Sequence, residues 1–250
     1  MKNILYIIAL FTSFLGFSQN NDVLFSKATE SYNSGNFQEA VENYMSILKS
    51  GFESSALYYN LANAHYKLNH VPESIYYYEK ALKLNPENED AKNNLVFANQ
   101  MTIDAITPLP KTWFKNLSDS ITSLFSLDVW AIISILGIFA FVISFLLYYF
   151  LEKTILKRIF FTTMLVAIIC SIGTYFIADF HRNNIEKEKF AILFDKTVRV
   201  FSEPNAYSNE VFSLHEGTKV EIIESLNDWV KIKLADGKIG WAKESTLRFL

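Results

Sequence analysis

The sequence predicts a multi-domain chain: an all-α solenoid of helical hairpins, a two-helix transmembrane hairpin and a small all-β barrel. Three observations carry that prediction. The first hundred residues match themselves at an offset of 34, two charge-free apolar runs follow, and short alternating runs split by turn residues fill the last sixty. Composition narrows the function. Half of the 250 residues are hydrophobic and the net charge is -3, so nothing marks a nucleic-acid surface. The single Cys170 excludes an intramolecular disulfide and any multi-cysteine metal site.

Residues 1–18 have the pattern of a secretory signal: Lys2, then the apolar run Ile4–Leu15, then Gly16 and Ser18 at small-residue positions. That run is shorter than the ~20 residues needed to cross a bilayer. Cleaved or retained as an anchor, it sends residue 20 onward across the membrane.

In the repeat region (21–100), Phe25 falls on Tyr59, Ala28 on Ala62, Tyr32 on Tyr66, Tyr44 on Tyr78 and Leu48 on Leu82. This period, with small residues at helix crossings, resembles the tetratricopeptide family, as repeats 21–54 and 55–88 followed by a capping helix over 89–100. Both copies lack one of the family's usual tyrosines, having Ser31 and His65 at that position. Pro86 stops the second repeat. By the resemblance, the A helices turn Tyr59, Asn60, Asn63, Tyr66, Lys67 and Asn94 toward an inner groove. Asn60 and Asn94 stand one repeat apart, where peptide-binding members hold a peptide backbone, although the same residues also suit a plain solvated face.

Segment 101–128 is a linker. Pro108 and Pro110 open it, and Trp113, Phe114, Leu117, Ile121, Leu124 and Phe125 recur at helical spacing. Such a stretch fits the membrane interface, the rival being a face packed on the repeats. Trp130–Phe150 and Ile159–Ala178 are then 21 and 20 residues without one charge, each long enough to span a bilayer. With no ionisable group inside either run, an ion path or proton relay is not expected. The 151–158 connection carries Lys153, Lys157 and Arg158 against Glu152, so it should stay cytoplasmic, with both flanking domains outside.

From Phe190 the runs Val198–Val200, Lys219–Ile223, Trp229–Leu234 and Lys238–Ala242 alternate between turns, among them Asp236-Gly237. Their order resembles the bacterial SH3-like domain over 190–250 and implies a small barrel with Val198, Val200, Leu214, Val220, Ile222, Val230 and Ile232 inside. Trp229 and Trp241 either form a binding shelf for peptide or peptidoglycan, or close the ends of the barrel.

The whole order of segments, with the Asn85–Leu95 stretch, resembles the BatE family of the Bacteroides aerotolerance operon. The resemblance implies an inner-membrane protein with its soluble domains in the periplasm. Its partners would be von Willebrand-type membrane proteins and a MoxR-like ATPase, in an aerotolerance- or stress-related complex. His65, His70, His181 and His215 lie on different elements and no phosphate loop occurs. The expected function is therefore a non-enzymatic membrane-anchored scaffold without cofactor. A cell-envelope sensor, whose SH3-like domain binds peptidoglycan or peptide, is the alternative.

Overall fold

The computed structural model describes residues 21–187 and 189–250, so the leader expected at 1–18 lies outside the described residues. Helix α1 covers 21–33, followed by α2 (Phe37–Lys49), α3 (Ser55–Lys67), α4 (Val71–Leu84) and α5 (Glu89–Asn99). Local chemistry sets these boundaries. Ser54 caps α3 by accepting the Leu57 N–H at 3.1 Å, and Asn88 caps α5 through Ala91 at 3.0 Å. Between α3 and α4 the chain turns on Asn69, at φ 60°, a conformation asparagine tolerates better than most residues. Ala28, Ala40, Ala62, Ala81, Ala91 and Ala98 are fully buried. Helix backbones can approach closely only over such small residues.

The described residues up to Pro108, together with Phe190–Leu250, form one compact unit, and those of Leu109–Lys189 form a second. In the second unit, α6 (Trp113–Thr122) precedes two helices of membrane length, α7 (Leu127–Phe150) and α8 (Thr154–Lys187). Only 151–153 separate α7 from α8, which places Lys157 and Arg158 within the first five residues of α8. The hairpin is tied at its middle. Ser134 Oγ donates to the Ser171 carbonyl at 3.0 Å, and Ser171 Oγ returns a bond to Ser134 at 2.7 Å. A side chain at Gly137 would meet Ser171 Cβ at 2.8 Å, so glycine permits that crossing, whereas Gly173 has open space around it. Helix α6 keeps Trp113 and Phe114 exposed and forms with α8 an apolar cleft lined by Leu117, Ile121, Phe176 and Phe180.

The C-terminal region corrects one expectation. Strands β1 (Phe190–Leu193), β2 (Thr197–Phe201), β3 (Glu210–His215), β4 (Lys219–Leu226), β5 (Trp229–Lys233), β6 (Ile239–Lys243) and β7 (Leu247–Phe249) do not close into a barrel. They form one antiparallel sheet in the order β3-β2-β6-β5-β4-β1-β7, with β3 and β7 at open ends. The reason lies in β1. It takes the free edge of β4, and β7 pairs on its far side instead of returning to β3. Ala191 and Leu193 enter the sheet's core, while Ile192 enters the core of the helical repeats. A strand buried on both faces ties the sheet to the helices. The seven residues expected in the sheet's core are all buried there.

Candidate functional site

The repeat groove is built around two tyrosines. Tyr44 and Tyr78, one repeat apart on α2 and α4, are both almost wholly buried. A buried hydroxyl needs partners, and each finds them at equivalent positions. Tyr44 bonds Thr29 at 3.0 Å and also Asn60. Tyr78 donates to Asn63 Oδ1 and also bonds Asn94. Thr29 and Asn63 are 34 residues apart, as are Asn60 and Asn94. The sequence period therefore reappears as a period of hydrogen bonds. Burial pushes both phenols above their ordinary range.

This arrangement changes the role of the asparagines. The Asn94 amide donates to Asn63 Oδ1 at 2.9 Å and to Tyr59 Oη at 3.3 Å. Its donors are engaged within the fold, and what it offers a ligand is its carbonyl oxygen. Around it Tyr32, Asn63, Tyr66, Lys67, Tyr78 and Phe97 complete a pocket of about 180 Å³. Of the groove residues expected from sequence, Asn63, Tyr66, Lys67 and Asn94 line this pocket. Tyr59 lies against it through its bond to Asn94, and Asn60 sits at the neighbouring node with Tyr44.

The opposite side of the second repeat is covered. Tyr77 stacks on His65 with ring centres 5.5 Å apart and on Tyr58 at 6.0 Å. Burial first, then the charges of His70 and Arg248, pull the His65 imidazole down to about 4, so it is neutral near pH 7. Tyr76 meets Phe194 edge-on at 5.8 Å, so the sheet occupies the tyrosine run.

Five polar contacts complete this joint, none of them anticipated from the sequence; one is Lys83 Nζ donating to the Leu250 carbonyl at 2.8 Å. Asp104, in the strap after α5, accepts the His215 backbone N–H at 2.6 Å, the Thr218 hydroxyl at 2.6 Å and a bond with His215 Nδ1 at 2.8 Å. Lys219 Nζ reaches Glu79 at 2.7 Å. Burial alone would raise the Asp104 carboxyl. The bonds from His215 and Thr218 outweigh it and hold the group below the usual carboxylate range. Gly217 turns at φ +85°, and a Cβ there would lie 3.0 to 3.2 Å from Thr102, Val71 and Ile75. Only glycine suits both the turn and the close approach.

On the sheet, Trp241 is buried, and Trp229 is half-buried and packed edge-on against Phe201 at 5.5 Å. The two indoles do not stand out as an open shelf. No group of three or more His, Cys, Asp or Glu side chains that could hold a metal ion occurs among the described residues.

Comparison with known families supports the two modules separately. The tetratricopeptide repeat family matches residues 55–88, and the bacterial SH3 domain family matches residues 196–248. Both are non-catalytic interaction modules, and the chain combines them with two apolar helices of membrane length. That combination is consistent with a non-catalytic, membrane-associated protein-interaction module. No curated protein matches the chain.

Proposed function

We propose that the protein is a membrane-anchored scaffold that offers its repeat groove and its SH3-like sheet to protein partners on one side of a membrane. The observation that carries this reading is the joint at Asp104. Residues before Pro108 and after Phe190 pack as one unit, although two helices of membrane length lie between them in the chain. Two spans return the chain to the side it left, so a packed joint and a spanning hairpin are compatible only if both modules share a compartment. The basic residues Lys153, Lys157 and Arg158 favour a cytoplasmic turn and hence the extracytoplasmic side for both modules. In the finer reading, drawn from the resemblance to the BatE family, the partners are von Willebrand-type membrane proteins and a MoxR-like ATPase system of a stress-related complex in the inner membrane.

The test is affinity purification of the intact protein from gently solubilised membranes, with wild type beside Lys67→Glu and Phe97→Ser. Both residues line the pocket with exposed side chains, so their replacement spares the Tyr44 and Tyr78 nodes that changes at Asn60 or Asn94 would disturb. Partners recovered with wild type and lost with the variants support the groove. Full recovery with both variants removes it as the partner surface.

A further inference from the structure

Three cations on one face of the SH3-like sheet differ from their neighbours. Lys219 holds Glu79, Lys233 holds Glu221 and Lys238 holds Asp236, at 2.7 to 3.0 Å. Arg199, Lys231 and Lys243 have no carboxylate partner among the described residues. Each lies instead over an aromatic ring: Arg199 over Phe201 at 6.0 Å, Lys231 over Trp241 at 5.8 Å and Lys243 over Trp229 at 6.0 Å. The three stand on the adjacent strands β2, β6 and β5. Glu224 lies opposite Lys231 in register without forming an ion pair with it. Three positive charges thus lie over aromatic rings with no ion-pair partner among the described residues.

From this arrangement we infer that the β2–β6–β5 face binds an acidic, extended peptide segment of a partner, one with carboxylates at alternate positions. This rests on the sheet alone and stands apart from the groove. The register supplies the spacing. Lys231 pairs with Trp241 and Trp229 with Lys243, so Lys231 and Lys243 are diagonal neighbours on the same face. Diagonal neighbours stand about 7–8 Å apart, and alternate side chains of an extended peptide recur every ~6.6–6.8 Å. A Glu-x-Glu segment therefore sets one carboxylate near each lysine, and Arg199 meets a further acidic group.

Ring geometry disfavours other anionic ligands. A sugar polymer would need open ring faces to stack on, and a bilayer would need rings free to insert. Trp241 is 8% exposed, and Trp229 and Phe201 hold each other edge to face. What the face presents outward is charge.

The experiment uses the full chain in phosphatidylcholine nanodiscs, which add no net lipid charge. The probes are two rhodamine-labelled peptides of equal composition, alternating Glu-Ser-Glu-Ser-Glu and blocked Glu-Glu-Glu-Ser-Ser, read by fluorescence anisotropy. Binding of the alternating peptide is expected to fall at least tenfold in Lys231→Gln/Lys243→Gln and to stay within twofold in Lys189→Gln/Lys196→Gln, which removes the same two units of charge off the strip. In wild type the alternating peptide should also protect Lys231 and Lys243 from acetylation, a readout that needs no variant to fold. Equal binding of the two peptides, equal loss in Lys189→Gln/Lys196→Gln, or no peptide binding overturns the inference. So does protection of these lysines by anionic nanodiscs or purified sacculi but not by peptide.

Discussion

The two repeats share a scheme, and three of the positions at which they differ explain why only one of them carries the sheet. Tyr44 and Tyr78 sit in matching hydrogen-bond nodes. Where the first repeat has Glu42 the second has Tyr76, which meets Phe194. Where the first has Ser31, bonded back to its own helix at Lys27, the second has the buried, neutral His65. Where the first has Met45, the second has Glu79, which holds Lys219. An exposed carboxylate at position 42 would meet Phe194 only at the cost of its hydration. A common backbone scheme thus leaves partner choice to a few outward residues.

Each part of this contrast can be broken. The largest effect is expected from Ile192→Asp, which puts a carboxylate into the helical core from the sheet's side. An uncompensated buried charge costs roughly 3–5 kcal/mol. Amide hydrogen exchange should rise in α4 and stay unchanged in α2; equal increases in both would show that the joint does not single out the second repeat.

The next effect is on pH dependence. The folded pKa of His65 lies below its ordinary value of 6.5, at about 4. As pH falls through that window the unfolded chain takes up a proton that the folded chain refuses, so stability drops. The linkage is on the order of 3 kcal/mol. His65→Ser, which installs the first repeat's residue, should flatten the melting temperature between pH 6.5 and 4. Asp104 adds a second loss only at lower pH, as pH falls through its depressed pKa.

Tyr78→Phe should then cost about 1–3 kcal/mol, because it leaves the half-buried Asn63 and Asn94 amides short of a partner. Tyr44→Phe should cost less, about 0.5–1.5 kcal/mol, since the Thr29 hydroxyl also bonds the Phe25 carbonyl. Paired urea melts check the order; a larger loss from Tyr44→Phe would reverse the assignment of the stronger node. The smallest effect is at Lys67→Ala, an exposed position, expected within ~0.5 kcal/mol of wild type in the same melts.

These contrasts also mark what the sequence made legible. The 34-residue offset placed the tyrosines, the crossing alanines and the groove because repeats are local: each side chain meets residues within about one period. Asn60 and Asn94 stood out by that same offset, but their bonds to buried hydroxyls did not, since an amide looks alike whether it faces a ligand or a tyrosine. The joint was illegible for a different reason. Asp104 and His215 are 111 residues apart with the membrane hairpin between them, and no periodicity links them. The expected barrel failed at β1 on the same ground. Phe190-Ala191-Ile192-Leu193 does not alternate, because two cores claim its two faces.

The position of β1 also has a consequence in time. At about 5–20 residues per second, the ribosome needs roughly 4–18 seconds to go from Asp104 to Ile192. Throughout that interval the helical repeats exist without their sheet, and Val71, Ile75 and Tyr76 lack the Gly217 turn and Phe194 ring that meet them in the finished fold. Both helices of membrane length are also made before the missing strand emerges. A nascent chain is therefore most exposed to proteases and to misassociation after its repeats are made and before its last sixty residues arrive. A stop codon ahead of Phe190 would make that transient state permanent.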